Sequence, residues 1–311
     1  MGKKKIILDV DPGHDDAVAI LLAAKSEALD LRGITVVAGN QILAKTLQNT
    51  LNICSFAGIK DVPIYAGMDE PLVREQVIAQ DIHGDTGLDG PKFPEPEIES
   101  EEQHAVDFII EEAMKADGDL ILVPTGPLTN IAMAFKKEPK IKENIKEIVL
   151  MGGAYGTGNE TASAEFNIYV DPEAAKIVFE SGLPITMAGL DLTHQAKAYP
   201  EILDRIKELD NEVGDLVVEL LKFFGKSYYE VFGFEAPPLH DVCAVAKLID
   251  DDVFTTENMR VDVEVDSKLT YGRTVCDFNH KSDQPKNTDV AITLNQDLFW
   301  DILIKNLAKY E

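Results

Sequence analysis

The chain has 311 residues, of which 45% are hydrophobic, and carries a formal net charge of −26 at pH 7. This length suits one large α/β domain or two smaller ones, with enough apolar residues for a substantial core. The negative charge argues against nucleic acid and anionic membranes as partners, because both require basic patches. A highly anionic substrate is also disfavoured unless a metal carries its charge, so a neutral polar ligand fits best.

Cysteine usage and the first residues favour a cytoplasmic protein. Cys54, Cys243 and Cys276 are odd in number, far apart and in or beside apolar segments, which predicts reduced packing residues. The basic residues after Met1 resemble the start of a signal peptide, but the apolar run that follows them is too short. No apolar run reaches the roughly 18 residues of a membrane span.

Strand and helix patterns alternate along the chain. Residues 6–10 predict a buried strand, which a turn at Pro12-Gly13 joins to an apolar helix ending near Ala24. Further strands are predicted at 31–38, 62–65, 119–123, 147–151, 184–189, 261–265 and 290–294. Helices are predicted at 43–57, after Pro127, from Pro172, over 200–232, at 242–249 and at the end of the chain.

This alternation predicts an α/β fold with an open, mostly parallel, Rossmann-like sheet and helices on both faces. No linker or repeat interrupts it, so residues 1–311 are predicted to form a single domain. In such sheets the ligand lies beyond the carboxyl ends of the strands. Polar residues follow several predicted strands: Asp11, Asn40, Thr125, the loop after Met151, and Asp191.

The turn after the first strand concentrates acidic side chains. Asp9 and Asp11 should point to the same side of the strand, and Asp15 and Asp16 begin the helix, whereas the next basic residue is Lys25. Capping of the helix start would explain one of the last two. Several converging carboxylates instead require raised pKa values or a cation, which favours a hard ion with oxygen ligands, Ca²⁺ or Mg²⁺.

Other candidate residues lie in loops. The loop 152–168 is long for a compact domain, and it contains polar and aromatic side chains able to bind a sugar: Asn159, Glu165, Phe166 and Asn167. His83 and the pair His240-Asp241 are ambiguous alone, since a loop histidine often has no role and the pair could simply cap a helix. Three aromatic residues at helical spacing are predicted to be core rather than ligand wall: Tyr228, Tyr229 and Phe232.

The run Asp9-Val10-Asp11-Pro12-Gly13-His14-Asp15-Asp16 resembles the signature of the inosine-uridine preferring nucleoside hydrolases. The resemblance covers nearly the whole chain, because further segments fall in family order: Gly39-Asn40, His83-Gly84, 123–130, 151–153, 164–167, 171–175 and His240-Asp241.

The resemblance implies a role for most of these residues. Ca²⁺ would be bound by Asp11, Asp16, Asp241 and the main-chain carbonyl of Thr125. The ribose hydroxyls would be held by Asp15, Asn40, Asn159, Glu165 and Asn167. Asp11 would also be the catalytic base, while His83, Phe166 and His240 would surround the nucleobase and His240 would help to protonate it. His14 receives no role.

The resemblance also implies a homotetramer or dimer. The purine-specific branch of the family stacks the base between tryptophans, but the single tryptophan here is Trp300 in the last predicted helix, so that branch is not expected.

The sequence thus predicts a Ca²⁺-dependent enzyme that hydrolyses the N-glycosidic bond of ribonucleosides, pyrimidine or inosine-type, through an oxocarbenium-like transition state. Two alternatives stay open. An Asp-x-Asp strand end also suits a Mg²⁺-dependent phosphotransferase or phosphatase, although no basic residue is near to balance a phosphate. A nucleoside-binding module without turnover is the non-enzymatic alternative.

Overall fold

The computed structural model describes residues 2–311. Its main sheet has eight strands in the order β3-β2-β1-β4-β5-β6-β10-β7. Neighbouring strands are parallel except for β10 and β7, which are antiparallel. The strands are β1 (Lys4–Val10), β2 (Leu29–Val36), β3 (Ile64–Ala66), β4 (Leu120–Pro124), β5 (Ile145–Met151), β6 (Ile185–Ala188), β7 (Phe254–Met259), β8 (Val261–Val263), β9 (Thr274–Cys276) and β10 (Thr288–Leu294). Strands β8 and β9 form a separate antiparallel pair.

Helices connect these strands. They are α1 (His14–Lys25), α2 (Leu43–Phe56), α3 (Gln80–His83), α4 (Ala105–Lys115), α5 (Thr129–Lys137), α6 (Phe166–Val170), α7 (Pro172–Phe179), α8 (Leu190–Thr193), α9 (Pro200–Lys207), α10 (Glu212–Phe232), α11 (His240–Ile249) and α12 (Gln296–Leu307). Two 3₁₀ turns cover Pro139–Asn144 and Asp251–Val253. Within residues 2–311, no helix is both long and apolar enough to cross a membrane.

The side chains of β1 show why helices cover both faces of the sheet. Ile6 and Leu8 belong to one apolar cluster, shared with α1, α2 and α9 to α12. Ile7 belongs to a second cluster, shared with α4, α5 and α7. Because alternate residues of a strand face opposite sides, an unbroken apolar strand requires two covering layers. The predicted α/β class, mostly parallel with helices on both faces, is confirmed.

Several boundaries differ from the sequence predictions. The predicted helix over 200–232 is two helices, because Asp210 adopts a positive φ of 54° and Asn211 caps α10 through its contact with the Gly214 N–H. Helix α5 begins at Thr129, so Pro127 precedes it instead of occupying its first turn. Asp171 caps α7, as predicted, by accepting from the Ala174 N–H at 3.0 Å.

The late strands are the least predictable part of the fold. The sequence does not predict strand β7, because only its two end residues are buried and it lacks an apolar pattern. The predicted strand at 261–265 is β8, which lies outside the main sheet, and its three-residue partner β9 is likewise not predicted by the sequence. These strands are short or lie at an edge, so they form because they pair with neighbouring strands rather than because their own residues favour a strand.

The strand order places a crevice at the carboxyl ends of β1 and β4. Sheet order reverses between these two strands, and ligands bind outside such a switch point in doubly wound folds. Asp11 follows β1 and Thr125 follows β4. The Thr125 N–H donates to the Asp9 carbonyl at 2.8 Å, which holds the two strand ends together.

Candidate active site

Three carboxylates converge in this crevice. Asp15 and Asp16 lie in the first turn of α1, and Asp241 lies in the first turn of α11, which packs against α1. One potential ligand atom from each lies within 4.8 Å of the others, and all three side chains are buried. The positive ends of two helix dipoles therefore face the same acidic cluster.

The protonation of this cluster reflects its burial. Burial raises the pKa of Asp15 to about 7, and the neighbouring Asp16 adds to the effect. The pKa of Asp241 lies well above its usual range because of burial and then the charges of Asp15, Asp16 and Asp11. Like charges this close require protons or a cation, and three carboxylates form a donor set that a hard divalent ion prefers.

Asp16 also contributes to helix capping, so the two interpretations of the acidic turn coexist. Its Oδ2 accepts from the Gly13 N–H at 3.1 Å, next to the start of α1. Its Oδ1 accepts from the Thr125 hydroxyl at 2.8 Å. One residue therefore stabilises the helix start and ties it to the end of β4.

Asp11 lies beside the cluster and is completely buried. Its Oδ2 accepts from the Asn40 N–H at 2.7 Å, whereas its Oδ1 is a buried oxygen with no hydrogen-bond partner among residues 2–311. A buried carboxylate oxygen without a partner is costly, so this atom fits a site completed by a bound cation or water.

Two glycines make room for Asp11. A Cβ atom at Gly39 would lie 2.1 Å from the Asp11 Oδ2, and one at Gly126 would lie 2.4 Å from its Oδ1. Both distances are far inside van der Waals contact, so only glycine allows the two loops to close around this carboxylate. The Oδ1 of Asp9 accepts from the Thr35 hydroxyl at 2.5 Å and the Asn130 amide at 2.8 Å, whereas its Oδ2 is also without a partner among residues 2–311, and Asp9 lies outside the carboxylate trio.

The loop before α6 builds the opposite side of the crevice. The Glu165 carboxylate accepts from the N–H groups of Gly153, Asn167 and Ile168 at 2.9, 3.0 and 3.1 Å. Burial nevertheless raises its pKa to about 7. The Asn167 amide donates to the Thr125 carbonyl at 2.6 Å.

Asn159, in the same loop, is also held by a hydrogen bond from the main chain. The Asn159 Oδ1 accepts from the Phe166 N–H at 2.9 Å. Asp191, predicted at the ligand edge, instead accepts from the N–H groups of Tyr155 and Gly156 at 2.7 and 3.2 Å and so anchors the loop from behind.

Imidazole and phenol groups form the other end of the crevice. The His240 Nδ1 lies 2.7 Å from the Thr193 hydroxyl, and its Nε2 lies 2.6 Å from the Tyr228 hydroxyl. Burial lowers the pKa of His240 well below its usual value. His83 lies nearby and contacts His14 through facing Nδ1 atoms 3.1 Å apart. His240-Asp241 therefore does more than cap a helix, since the N-cap of α11 is Leu239.

Many of these groups line one cavity of about 230 Å³, but Asp9, His14, Asp191 and Thr193 do not. Of the residues to which the family resemblance gives a role, all line the cavity except Asp11 and Asp16, which are completely buried. The cavity is also lined by residues that no sequence pattern assigns to it: Ile78, Ala79, Asp81, Ile82, Met151, Glu160, Phe224, Tyr228, Val231 and Phe232.

The aromatic wall corrects one sequence prediction. Tyr228 and Phe232 line the cavity, although their spacing was interpreted as core packing. The signal was present, because Phe224, Tyr228 and Phe232 recur every four residues and so share one face of α10. Periodicity cannot distinguish a face that covers a core from one that covers a ligand. Trp300 packs against Phe299 and does not line the cavity.

Comparisons with known proteins agree with this architecture. A family model described as inosine-uridine preferring nucleoside hydrolase matches residues 6–301. The chain is 52% identical over 310 residues to the pyrimidine-specific ribonucleoside hydrolase RihB of Escherichia coli O157:H7, a match that covers 100% of this chain and 99% of that protein.

Solved structures show the same fold. A purine-preferring ribonucleoside hydrolase from Gardnerella vaginalis superposes with a TM-score of 0.92 at 36% identity, covering 98% of each chain. The plant nucleoside hydrolase PpNRh1 gives a TM-score of 0.91 at 31% identity, covering 98% of this chain and 99% of that one.

Fold, cavity and relatives together define an enzyme of the ribonucleoside hydrolase class. More particularly, the chain belongs to the inosine-uridine preferring nucleoside hydrolase family. The family resemblance and the enzymatic class predicted from the sequence are both confirmed.

Proposed function

We propose that this enzyme is a Ca²⁺-dependent ribonucleoside hydrolase that cleaves the N-glycosidic bond of pyrimidine ribonucleosides and, second, of inosine. The carboxylate cluster beneath the cavity, with the unpartnered Oδ1 of Asp11, carries the proposal. The pyrimidine preference rests on the 52% identity to a pyrimidine-specific relative. Inosine remains the second candidate because a purine-preferring relative shares the fold at 36% identity.

The acidic residues fit a resident divalent cation. Asp11, Asp16, Asp241 and the Thr125 carbonyl would hold it, and all four supply the hard oxygen ligands that Ca²⁺ takes. Such a cation supplies Lewis acidity and lowers the pKa of water at the site. Asp15 belongs to the same cluster but, unlike Asp16, lines the cavity, so its carboxylate is available to the ribose hydroxyls.

Side chains of the protein would carry out the remaining steps of the reaction. Asp11 is the proposed base, which accepts a proton from the attacking water while the oxygen of that water bonds to the anomeric carbon. The bond from this carbon to the base nitrogen breaks, and the surrounding carboxylates stabilise the positive charge that develops on the ribosyl ring. Asn40, Asn159, Glu165 and Asn167 would orient the ribose hydroxyls.

The departing base must gain a proton at the other end of the cavity. His240 is the proposed donor, with His83 and Phe166 against the base. Because the Nε2 of His240 is hydrogen-bonded to the Tyr228 hydroxyl, the two side chains would deliver the proton as a pair. A positioned acid of this kind contributes about 10²–10⁴-fold to rate.

The decisive experiment is release of free ribose from uridine, cytidine, inosine and adenosine, with and without a chelator. Chelator-sensitive release that Ca²⁺ restores is expected. Turnover of phosphate esters with Mg²⁺ but not of nucleosides would favour the phosphotransferase alternative. Nucleoside binding without any ribose release would favour the binding module.

We further propose a homotetramer or dimer in the cytoplasm, following the family resemblance and the free state of Cys54, Cys243 and Cys276. Sedimentation velocity at low micromolar concentration measures the assembly. A single monomeric species there would contradict the proposed oligomer.

A further inference from the structure

Arg74 lies behind one side of the cavity, in the irregular segment between β3 and α3. The end of this segment lines the cavity through Ile78 and Ala79, and α3 continues the lining with Ile82 and His83. Arg74 itself is half-buried and does not line the cavity. It can therefore act on a substrate only through other residues.

The Arg74 side chain reaches α6, which presents Phe166 and Asn167 to the same cavity. Its guanidinium donates to the Tyr169 carbonyl at 2.5 Å. The guanidinium carbon lies 4.0 Å from the centroid of the Tyr169 ring and 5.5 Å from that of the Tyr271 ring. A cation is stabilised against the face of an aromatic ring, so two rings and one carbonyl together form a site for this side chain.

Helix α6 depends on contacts at both of its ends. It has five residues, which is too short for a helix to be stable by itself. The Glu165 carboxylate holds its first turn by accepting from the N–H groups of Asn167 and Ile168. At the other end the Tyr169 carbonyl is one of the last four, which have no partner inside a helix, and Arg74 donates to it. A positive charge at this end also complements the helix dipole.

The segment that carries Arg74 has few other attachments. The Leu72 N–H donates to the Asp171 carboxylate at 2.9 Å, and the Ala79 N–H donates to a carbonyl of the loop after β2 at 3.0 Å. Between these points, among residues 2–311, the segment forms hydrogen bonds to the rest of the protein only through Arg74 and Gln76. The Gln76 amide reaches the loop after β2, so Arg74 alone joins this stretch to α6.

We propose that Arg74 is a positioning residue that joins two parts of the cavity lining, the segment 74–83 and helix α6, and so sets the fit of the cavity around the substrate. The effect on turnover rests on the proposed function and deepens it. Arg74 forms no hydrogen bond with Asp11 or His240, so its loss should weaken substrate binding more than the chemical step.

Amide hydrogen exchange measured by mass spectrometry tests the joint directly and needs no substrate. Arg74→Met keeps an unbranched side chain but has neither charge nor donor. We expect exchange to become about 10-fold faster both in 72–83 and in 166–170, as for the loss of a charge-assisted hydrogen bond, and to stay unchanged in β1 and β4. Faster exchange in 72–83 alone, or an even increase throughout the chain, would overturn the proposal.

Tyr169→Phe is the matched control, because it keeps both the ring and the main-chain carbonyl that Arg74 contacts. Its exchange should match that of the native protein. Tyr169→Leu removes the ring and should loosen the same two segments, but it should add little to Arg74→Met, since both changes break one contact. Fully additive increases would show that the two residues act independently, which contradicts the proposal.

Kinetics provide the functional measurement. Arg74→Met should raise the KM for uridine about 10-fold with little change in kcat, the pattern expected when binding rather than the chemical step is impaired. Arg74→Lys should recover part of the loss, because it keeps the charge but not the planar fork. A lower kcat at unchanged KM, or a lysine variant no better than the methionine one, would contradict the inference. Failure of the native protein to cleave any nucleoside would refute the proposed function, while the exchange data would still decide whether Arg74 joins the two segments.

Discussion

The two ends of the cavity are built in different ways. We call the carboxylates at one end the acid floor, which comprises Asp11, Asp15, Asp16 and Asp241. We call the opposite end the imidazole wall, which comprises His14, His83, Tyr228 and His240. Main-chain N–H groups, the first turns of two helices and the Thr125 hydroxyl hold the floor, whereas the wall is held by contacts between its own side chains together with main-chain groups of Asp89 and His14.

This difference suggests a division of labour. In the proposed mechanism the floor binds the ribose, which every nucleoside shares. In the same mechanism the wall contacts the base, which varies, and its side chains belong to α1, α3, α10 and α11, which meet only in the folded chain. Changes at the floor should therefore affect all substrates alike, while changes at the wall should depend on the leaving group.

Removing divalent ions should have the largest effect. Dialysis against a chelator should abolish ribose release from every nucleoside and from p-nitrophenyl riboside, because the acid floor would then carry uncompensated charge. Adding Ca²⁺ back should restore activity, measured by a reducing-sugar assay. Full activity after exhaustive chelation would contradict the role proposed for the floor.

Asp11→Asn should lower kcat by about 10²–10⁴-fold for all substrates, since the variant loses the proposed base. Its oxygen can still accept from the Asn40 N–H, so the fold should persist. Asp9→Asn, two residues earlier in the chain, is the matched control, because Asp9 contacts Thr35 and Asn130 and does not line the cavity. A similar loss in both variants would point to damage in β1 instead of a missing base.

Tyr228→Phe should lower kcat for uridine by about 10²-fold, the lower end of the contribution of a positioned acid. The phenyl ring preserves the wall but leaves the Nε2 of His240 without its partner. Cleavage of p-nitrophenyl riboside, whose leaving group needs no proton, should change little. An equal loss on both substrates would place Tyr228 in a general structural role and weaken the comparison.

The smallest predicted effect is a dependence of stability on pH, which is expected only in the metal-free protein. Burial raises the pKa values of Asp9 and Asp15 from 3.8 to about 7. The folded state thus binds more protons than the unfolded state between these values, so stability is complete near pH 4 and falls as pH rises towards 7. Calorimetry should show a Tm that decreases over this range, and the stabilisation by added Ca²⁺ should increase with pH. A flat Tm profile for the metal-free protein would contradict these pKa values.

The sequence reveals the floor much better than the wall. Asp11, Asp15 and Asp16 lie in one turn between a strand and a helix, and the alternation of elements places that turn at the ligand edge of the sheet. By contrast, the contact between His14 and His83 spans 69 positions of the chain and depends on the path of an irregular loop. Tyr228 has the same spacing as a core residue, and only the position of α10 over the cavity identifies its role.

The two glycines around Asp11 set a practical limit on redesign of this enzyme. A methyl group at either Gly39 or Gly126 would occupy the space of the Asp11 carboxylate. Libraries that seek new leaving groups should therefore diversify the cavity face of α10 and keep both glycines. Variants that replace either glycine should lose turnover of every substrate, so they cannot report on selectivity.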